Sequence, residues 1–150
     1  MTEPGFISQP DPDNPGWLTW MLRDATRFNG QVLGKMIVRS EGEGRARVRM
    51  FPEHKHTNLT GNLHGGTTLS LIDVAMFAGS RMFGLIEAGT AVTLDMSVQF
   101  IGAGKPDLPL DCEVELLRET GRLLFLRGLV VQGDNRIAGW SGAIRKPTVR

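Results

Sequence analysis

A chain of 150 residues with 41% hydrophobic and 22% charged side chains has the makeup of a single folded domain and excludes intrinsic disorder. Seventeen Lys and Arg against sixteen Asp and Glu leave a formal net charge of +1, too weak a field to argue for nucleic acid or a membrane surface. Cys112 is the only cysteine, so an intramolecular disulfide is excluded and a reducing, cytoplasmic setting is the simpler reading.

Residues 1–16 carry four prolines among Asp, Asn and Gly and read as a flexible leader, without the basic and apolar stretches of a signal peptide. One domain is expected over residues 17–150. Its first element is a helix, because Leu18, Met21, Leu22, Ala25 and Phe28 recur at helical spacing and Gly30 is placed to end it. Residues 32–39 and 45–51 are strand-like and are joined by Glu41-Gly42-Glu43-Gly44, which predicts a hairpin.

Over residues 64–83 the apolar positions cover almost the whole helical circumference, which predicts a buried helix. After Gly89 the period changes to two: Val92, Leu94, Met96, Val98 and Phe100 share one face, and Thr93, Asp95, Ser97 and Gln99 the other. Strand-like runs at 110–119, 123–131 and 137–145, broken at Thr120-Gly121-Arg122 and at residues 133–135, complete an antiparallel meander. No stretch is apolar for the length of a bilayer.

A hairpin, a buried helix and a meander predict an α+β fold in which a curved antiparallel sheet wraps a long central helix, with the extra N-terminal helix at its flank. Periodicity alone supports other α+β sheets as well. What narrows the choice is Asn58-Leu59-Thr60-Gly61-Asn62-Leu63-His64-Gly65-Gly66, followed by Leu69, Leu71, Ile72 and Asp73. With Thr93-Leu94-Asp95-Met96 further on, this segment closely resembles the PaaI-like branch of hotdog-fold acyl-coenzyme A thioesterases. The likeness runs from about Val32 to Ile144.

The residues carry chemical sense of their own. Gly65 and Gly66 open a helix, where amide N–H groups lack intrahelical partners and the dipole is positive, so a thioester carbonyl can approach and its oxyanion be stabilised. Asp73 falls in the middle of the most apolar helix, where a carboxylate is costly unless it is paired or faces a wet cavity. Buried ion pairing with an arginine is the structural alternative; the resemblance makes Asp73 the carboxylate that attacks the thioester or activates water, without separating the two.

The resemblance also implies that Asn58 and His64 orient the thioester and brace the loop, loop hydrogen bonding and helix capping being their plainer roles. Thr93 corresponds to the position that holds the lytic water, yet strict alternation puts it opposite the apolar face, so reaching Asp73 requires a bulge or a site on the outer side of the packing. Arg122 and Arg118 match basic positions near the coenzyme A phosphates. His54 and His56 read as solvated loop histidines, since no thiolate or carboxylate cluster completes a metal set; no cofactor is expected, coenzyme A being part of the substrate.

The expected reaction is hydrolysis of an aryl- or short- to medium-chain acyl-coenzyme A to acid and free coenzyme A. A hotdog-fold dehydratase and a non-catalytic acyl-coenzyme A binder are the alternatives. At about 1.5 Å rise per residue, Gly65 and Asp73 stand roughly 12 Å apart along one helix, too far to act on one carbonyl. A homodimer sharing its site across a two-fold axis is therefore the expected minimal unit, and by resemblance dimers pair into a homotetramer.

Overall fold

The computed structural model describes residues 5–148. In chain order its strands are β1 (Phe6–Ile7), β2 (Leu18–Thr19), β3 (Met21–Leu22), β4 (Met36–Ser40) and β5 (Arg45–Met50), then, after the helix α1 (Gly65–Met82), β6 (Val92–Phe100), β7 (Leu110–Glu119), β8 (Leu123–Gln132) and β9 (Asn135–Arg145). Seven of the strands form one antiparallel sheet in the order β2-β4-β5-β7-β8-β9-β6, and β1 pairs with β3 alone. No described helix is long and apolar enough to cross a membrane.

The helix is apolar on nearly every side and is enclosed accordingly. Leu71, Ile72, Ala75, Met76 and Ala78 are fully buried against the inward side chains of the sheet, among them Val48, Met50, Val114, Leu124, Leu126 and Ile144. Each large side chain so enclosed contributes about 1.5–3 kcal/mol. Gly79 permits the close approach, since a Cβ there would lie 2.8 Å from Cγ1 of Val114 on β7. On the outer face of the sheet charges pair across strands: Arg49 forks onto the buried Asp111 at 2.7 and 2.8 Å, and Arg47 reaches Glu41, Asp111 and Glu113.

The N-terminal helix expected from residue 17 does not form. Leu18 and Thr19 pair instead with Val38 and Ile37 at the β4 edge, and Leu22 and Met21 pair with Phe6 and Ile7. Trp and Thr favour strands, a free sheet edge offers backbone partners, and Asp24 accepts from the backbone and hydroxyl of Thr26 to fix a turn, so tertiary pairing overrides a weak helical period. Ala25 and Phe28 are exposed as a result. A five-residue π-helical turn, Asn29–Leu33, takes the start of the expected strand from residue 32.

The leader expected over residues 1–16 is structured from Gly5 onward, with residues 1–4 outside the described part. Phe6 is 2% exposed and packs against Trp20 with 4.3 Å between ring centroids and the ring planes tilted by 59°. At the far end of this strap Asp11 is buried, accepting from the ammonium of Lys35 at 2.9 Å and from the Asn14 amide at 2.8 Å. Those two hydrogen bonds, Lys35 first, hold its carboxyl below the ordinary value of 3.8.

A depressed carboxylate stabilises the fold above its unfolded pKa and loses that contribution as pH falls through the lower folded value. Asp11→Asn is therefore expected to lower the melting temperature at neutral pH by an amount that shrinks below about pH 4 and vanishes once Asp11 itself is protonated. Thermal scans of both proteins from pH 7 to pH 2 check this, and a difference that grows in acid would contradict it.

Candidate active site

The start of α1 is built by its cap. His64, with φ −66° and ψ 140°, is the N-cap residue, and its ring Nδ1 accepts from Gly66 N–H at 2.8 Å. A helix start leaves four backbone donors without intrahelical acceptors. Here His64 N–H donates to the His56 carbonyl, Gly66 N–H to the His64 ring and Thr67 N–H to the His64 carbonyl. The Gly65 N–H is left with no acceptor among the described residues.

The two glycines differ in what surrounds them. A Cβ on Gly66 would lie 3.0 Å from His64 Nδ1, so this glycine preserves the cap. A Cβ on Gly65 would meet only the Phe100 ring, at 3.4 Å. Gly65 thus has an uncrowded Cβ position beside an amide without an acceptor among the described residues, as an oxyanion donor requires.

The loop ahead of the helix closes on itself. Asn58 Oδ1 accepts from the Thr60 backbone and hydroxyl and from the Asn62 backbone, at 3.0, 2.7 and 3.2 Å. Its side-chain NH2 has no acceptor among the described residues and is available to a ligand. His56 is buried rather than solvated, because its ring ties two segments together: Nδ1 accepts from Glu53 N–H at 2.8 Å, which leaves Nε2 to donate to the Val32 carbonyl at 2.6 Å. His54 is exposed. Among the described residues no three His, Cys, Asp or Glu side chains group to hold a metal.

Asp73 lies two turns further along α1 and is half-buried. Thr93 Oγ1 donates to Asp73 Oδ1 at 2.7 Å. The bond exists because β6 carries a bulge: its pairing with β9 steps from Thr93↔Ile144 to Asp95↔Ala143, leaving Leu94 as the extra residue. Paired residues share a face, so Thr93 turns inward with Ile144 and with Met96 and Phe100, while Asp95, Ser97 and Gln99 stay outward. Alternation alone placed Thr93 on the wrong face; the single bulge supplies the correction.

Asp73 also forms part of the wall of an apolar cavity of about 280 Å³ that includes Phe6, Trp20 and Phe77. Sequence reading missed Phe6 and Trp20, for which the two tryptophans ahead of the motif were the only available signal. A larger cavity of about 560 Å³ opens on the outer face of the sheet, but Arg47 and Arg127 at its rim are already bonded to acids and no candidate site residue lines it.

Arg122 is exposed in the turn between β7 and β8. Leu123 pairs with Arg145, which pairs with Val92, so this turn lies at the Asp73–Thr93 end of the sheet, two strands away. Arg118, also exposed, follows a bulge in β7 one strand further on. Cys112 is fully buried, and its desolvation pushes the thiol pKa well above its ordinary range, which removes it as a nucleophile.

Within one protomer the candidates therefore form two groups. Asn58, His64, Gly65 and Gly66 gather at the helix start, beside Phe100 at the end of β6. Asp73 and Thr93 meet at the opposite end of the same strand.

The family model described as "Thioesterase superfamily" matches residues 60–138. Acyl-coenzyme A thioesterase 13 of Homo sapiens is 28% identical over 99 residues, 63% of this chain; the match spans 66% of that relative, just under two thirds of its length. Zebrafish thioesterase superfamily member 2 superimposes with a TM-score of 0.67 at 26% identity, covering 82% of this chain and 88% of that one. The Escherichia coli PaaI protein from the phenylacetic acid degradation operon does so with a TM-score of 0.68 at 22% identity, covering 82% and 86%. The chain belongs to the thioesterase superfamily and has the hotdog fold of the PaaI-type proteins.

Proposed function

We propose that this protein is an acyl-coenzyme A thioesterase, releasing free coenzyme A and the acid from an aryl- or short- to medium-chain thioester. The observation that carries the reading is the Thr93–Asp73 hydrogen bond at the wall of an apolar cavity. One carboxylate oxygen is fixed by Thr93 and the other has no partner among the described residues, which suits it to take a proton from water. Thr93 Oγ1, having donated its proton to Asp73, retains lone pairs to hold that water.

The hydroxide so formed attacks the thioester carbon, and the carbonyl oxygen becomes an oxyanion that accepts from Gly65 N–H and Asn58 NH2. Collapse breaks the C–S bond, and the departing thiolate takes up the proton that Asp73 had withdrawn. His64 and Gly66 keep the helix start in shape. Arg122 and Arg118 offer charge to the coenzyme A phosphates. The reaction requires no cofactor, and its setting is the reducing cytoplasm.

One protomer cannot complete this site, since Gly65 and Asp73 stand roughly 12 Å apart on the helix. The edge strand β6 supports a homodimer: Val92, Leu94 and Phe100 are 56%, 54% and 55% exposed, an unusual apolar display on an unpaired edge. Two β6 strands pairing antiparallel about Met96 and Ser97 bring the Phe100 end, with Gly65 and Asn58, to the partner's Thr93 and Asp73 end. The dimers associate further into a homotetramer.

The test is release of free thiol from a panel of acyl-coenzyme A thioesters, with parallel detection of hydrated or dehydrated acyl product. Thiol release without change in the acyl group is expected; binding without turnover, or hydration in its place, would exclude the hydrolase. Thr93→Val preserves shape and removes the hydroxyl, and is expected to lower kcat tenfold or more. A fall confined to KM would place Thr93 in binding instead.

A further inference from the structure

We propose that His56 is a positioning residue for the hydrolysis, carrying the neck of the loop that presents both oxyanion donors, Asn58 and Gly65. The proposal rests on the thioesterase reading above and concerns a side chain that the family match, beginning at residue 60, leaves out.

Asn58 and Gly65 stand on the two sides of that neck. Thr57 and Leu63 pair across it as an isolated antiparallel bridge, and one step further His64 N–H donates to the His56 carbonyl at 2.8 Å. The same carbonyl accepts from the Thr67 hydroxyl at 3.2 Å, in the first turn of α1. Asn58 follows His56 by two residues and Gly65 follows its partner His64 by one, so a shift of His56 moves both donors together.

The imidazole is what keeps the neck in place. His56 is 2% exposed and both ring nitrogens are engaged, Nδ1 by Glu53 N–H at 2.8 Å and Nε2 by the Val32 carbonyl at 2.6 Å. Val32 belongs to the Asn29–Leu33 turn, which Leu33 anchors in the core. A buried ring bonded on both sides is held firmly, because a group stranded without its partner recovers nothing from water. That firmness matters to an oxyanion donor, for which a misplacement of about 1 Å costs about 10²-fold in rate.

The experiment measures kcat and KM of the full chain with acetyl- and benzoyl-coenzyme A, beside melting curves and amide hydrogen exchange. Glutamine at position 56 can satisfy one ring partner but not both. His56→Gln is expected to lower kcat about tenfold or more with KM changed less than about twofold, since the donors act on the oxyanion rather than on the bound ester. Thr67→Val, which keeps shape and removes the hydroxyl from the His56 carbonyl, should lower kcat in the same sense. His54→Gln, at an exposed position in the same turn, should change neither constant.

On the slowed Gly65→Val background, His56→Gln should cost clearly less than on wild type, because one of the two donors it positions is already covered. Equal losses on both backgrounds, or a loss carried by KM, in proteins whose melting confirms folding, would overturn the proposal. Should His56→Gln fail to fold, an unchanged kcat in Thr67→Val would overturn it instead. If wild type hydrolyses nothing, the thioesterase reading fails, while faster exchange of the His64 and Gly66 amides in folded His56→Gln would still show that His56 holds the helix start, and unchanged exchange would remove it from that role.

Discussion

Asp73→Asn is expected to lower kcat by a factor of about 10² to 10⁴, the range in which a positioned proton acceptor contributes to a reaction. The substitution is chosen for what it keeps. Asparagine presents an oxygen where Asp73 Oδ1 accepts from Thr93, so the 2.7 Å bond and the packing of α1 persist, while the group can no longer take a proton from water. The fold should survive, because Asp73 makes no ion pair among the described residues whose partner would be stranded. Thiol-release kinetics beside a melting curve decide the matter: a folded variant with near wild-type turnover would remove Asp73 from the reaction.

Gly65→Val is expected to slow turnover by about 10² or more, the loss that follows removal of one oxyanion donor. The position tolerates a side chain better than its neighbour does. Its Cβ would meet only the ring of Phe100, at 3.4 Å and in ordinary van der Waals contact, whereas at Gly66 the same atom would press on the capping nitrogen of His64. Valine at 65 therefore covers the free amide and leaves the cap in place, so the effect should fall on kcat with little change in melting temperature. Gly66→Val is the contrast, with a fall in stability through the damaged cap. Full activity in folded Gly65→Val protein would move the oxyanion donor elsewhere.

Much of this architecture was legible because its cause is local. The central helix declared itself by being apolar on every side, and the meander strands by period two bounded with turn residues; β7 falls on the expected residues 110–119. The N-terminal region misled for the opposite reason. Leu18, Met21, Leu22 and Ala25 fit a helical spacing, but the edge of β4 and the strand at Phe6–Ile7 supply partners from elsewhere in the chain, which no local pattern contains.

The site shows the same division. His64 as a cap and Asn58 as a loop brace follow from their positions next to a helix start. That His56 would be buried between the Glu53 amide and the Val32 carbonyl depended on how residues 29–33 turn, a tertiary matter. Thr93 reaches Asp73 through the bulge at Leu94, and the alternation of residues 92–100 left open whether a bulge or an outer-side site would bring them together.

The most direct measurement of the shared site is mixed-subunit complementation. Asp73→Ala and Gly65→Val proteins, each inactive alone, are unfolded together, refolded and separated so that verified heterodimers are assayed for thiol release. Each heterodimer would contain one site with both groups intact and one with neither, so the separated heterodimers should show about half of wild-type activity. Verified heterodimers as inactive as their parents, or an active monomer at assay concentration, would contradict a site built from two chains.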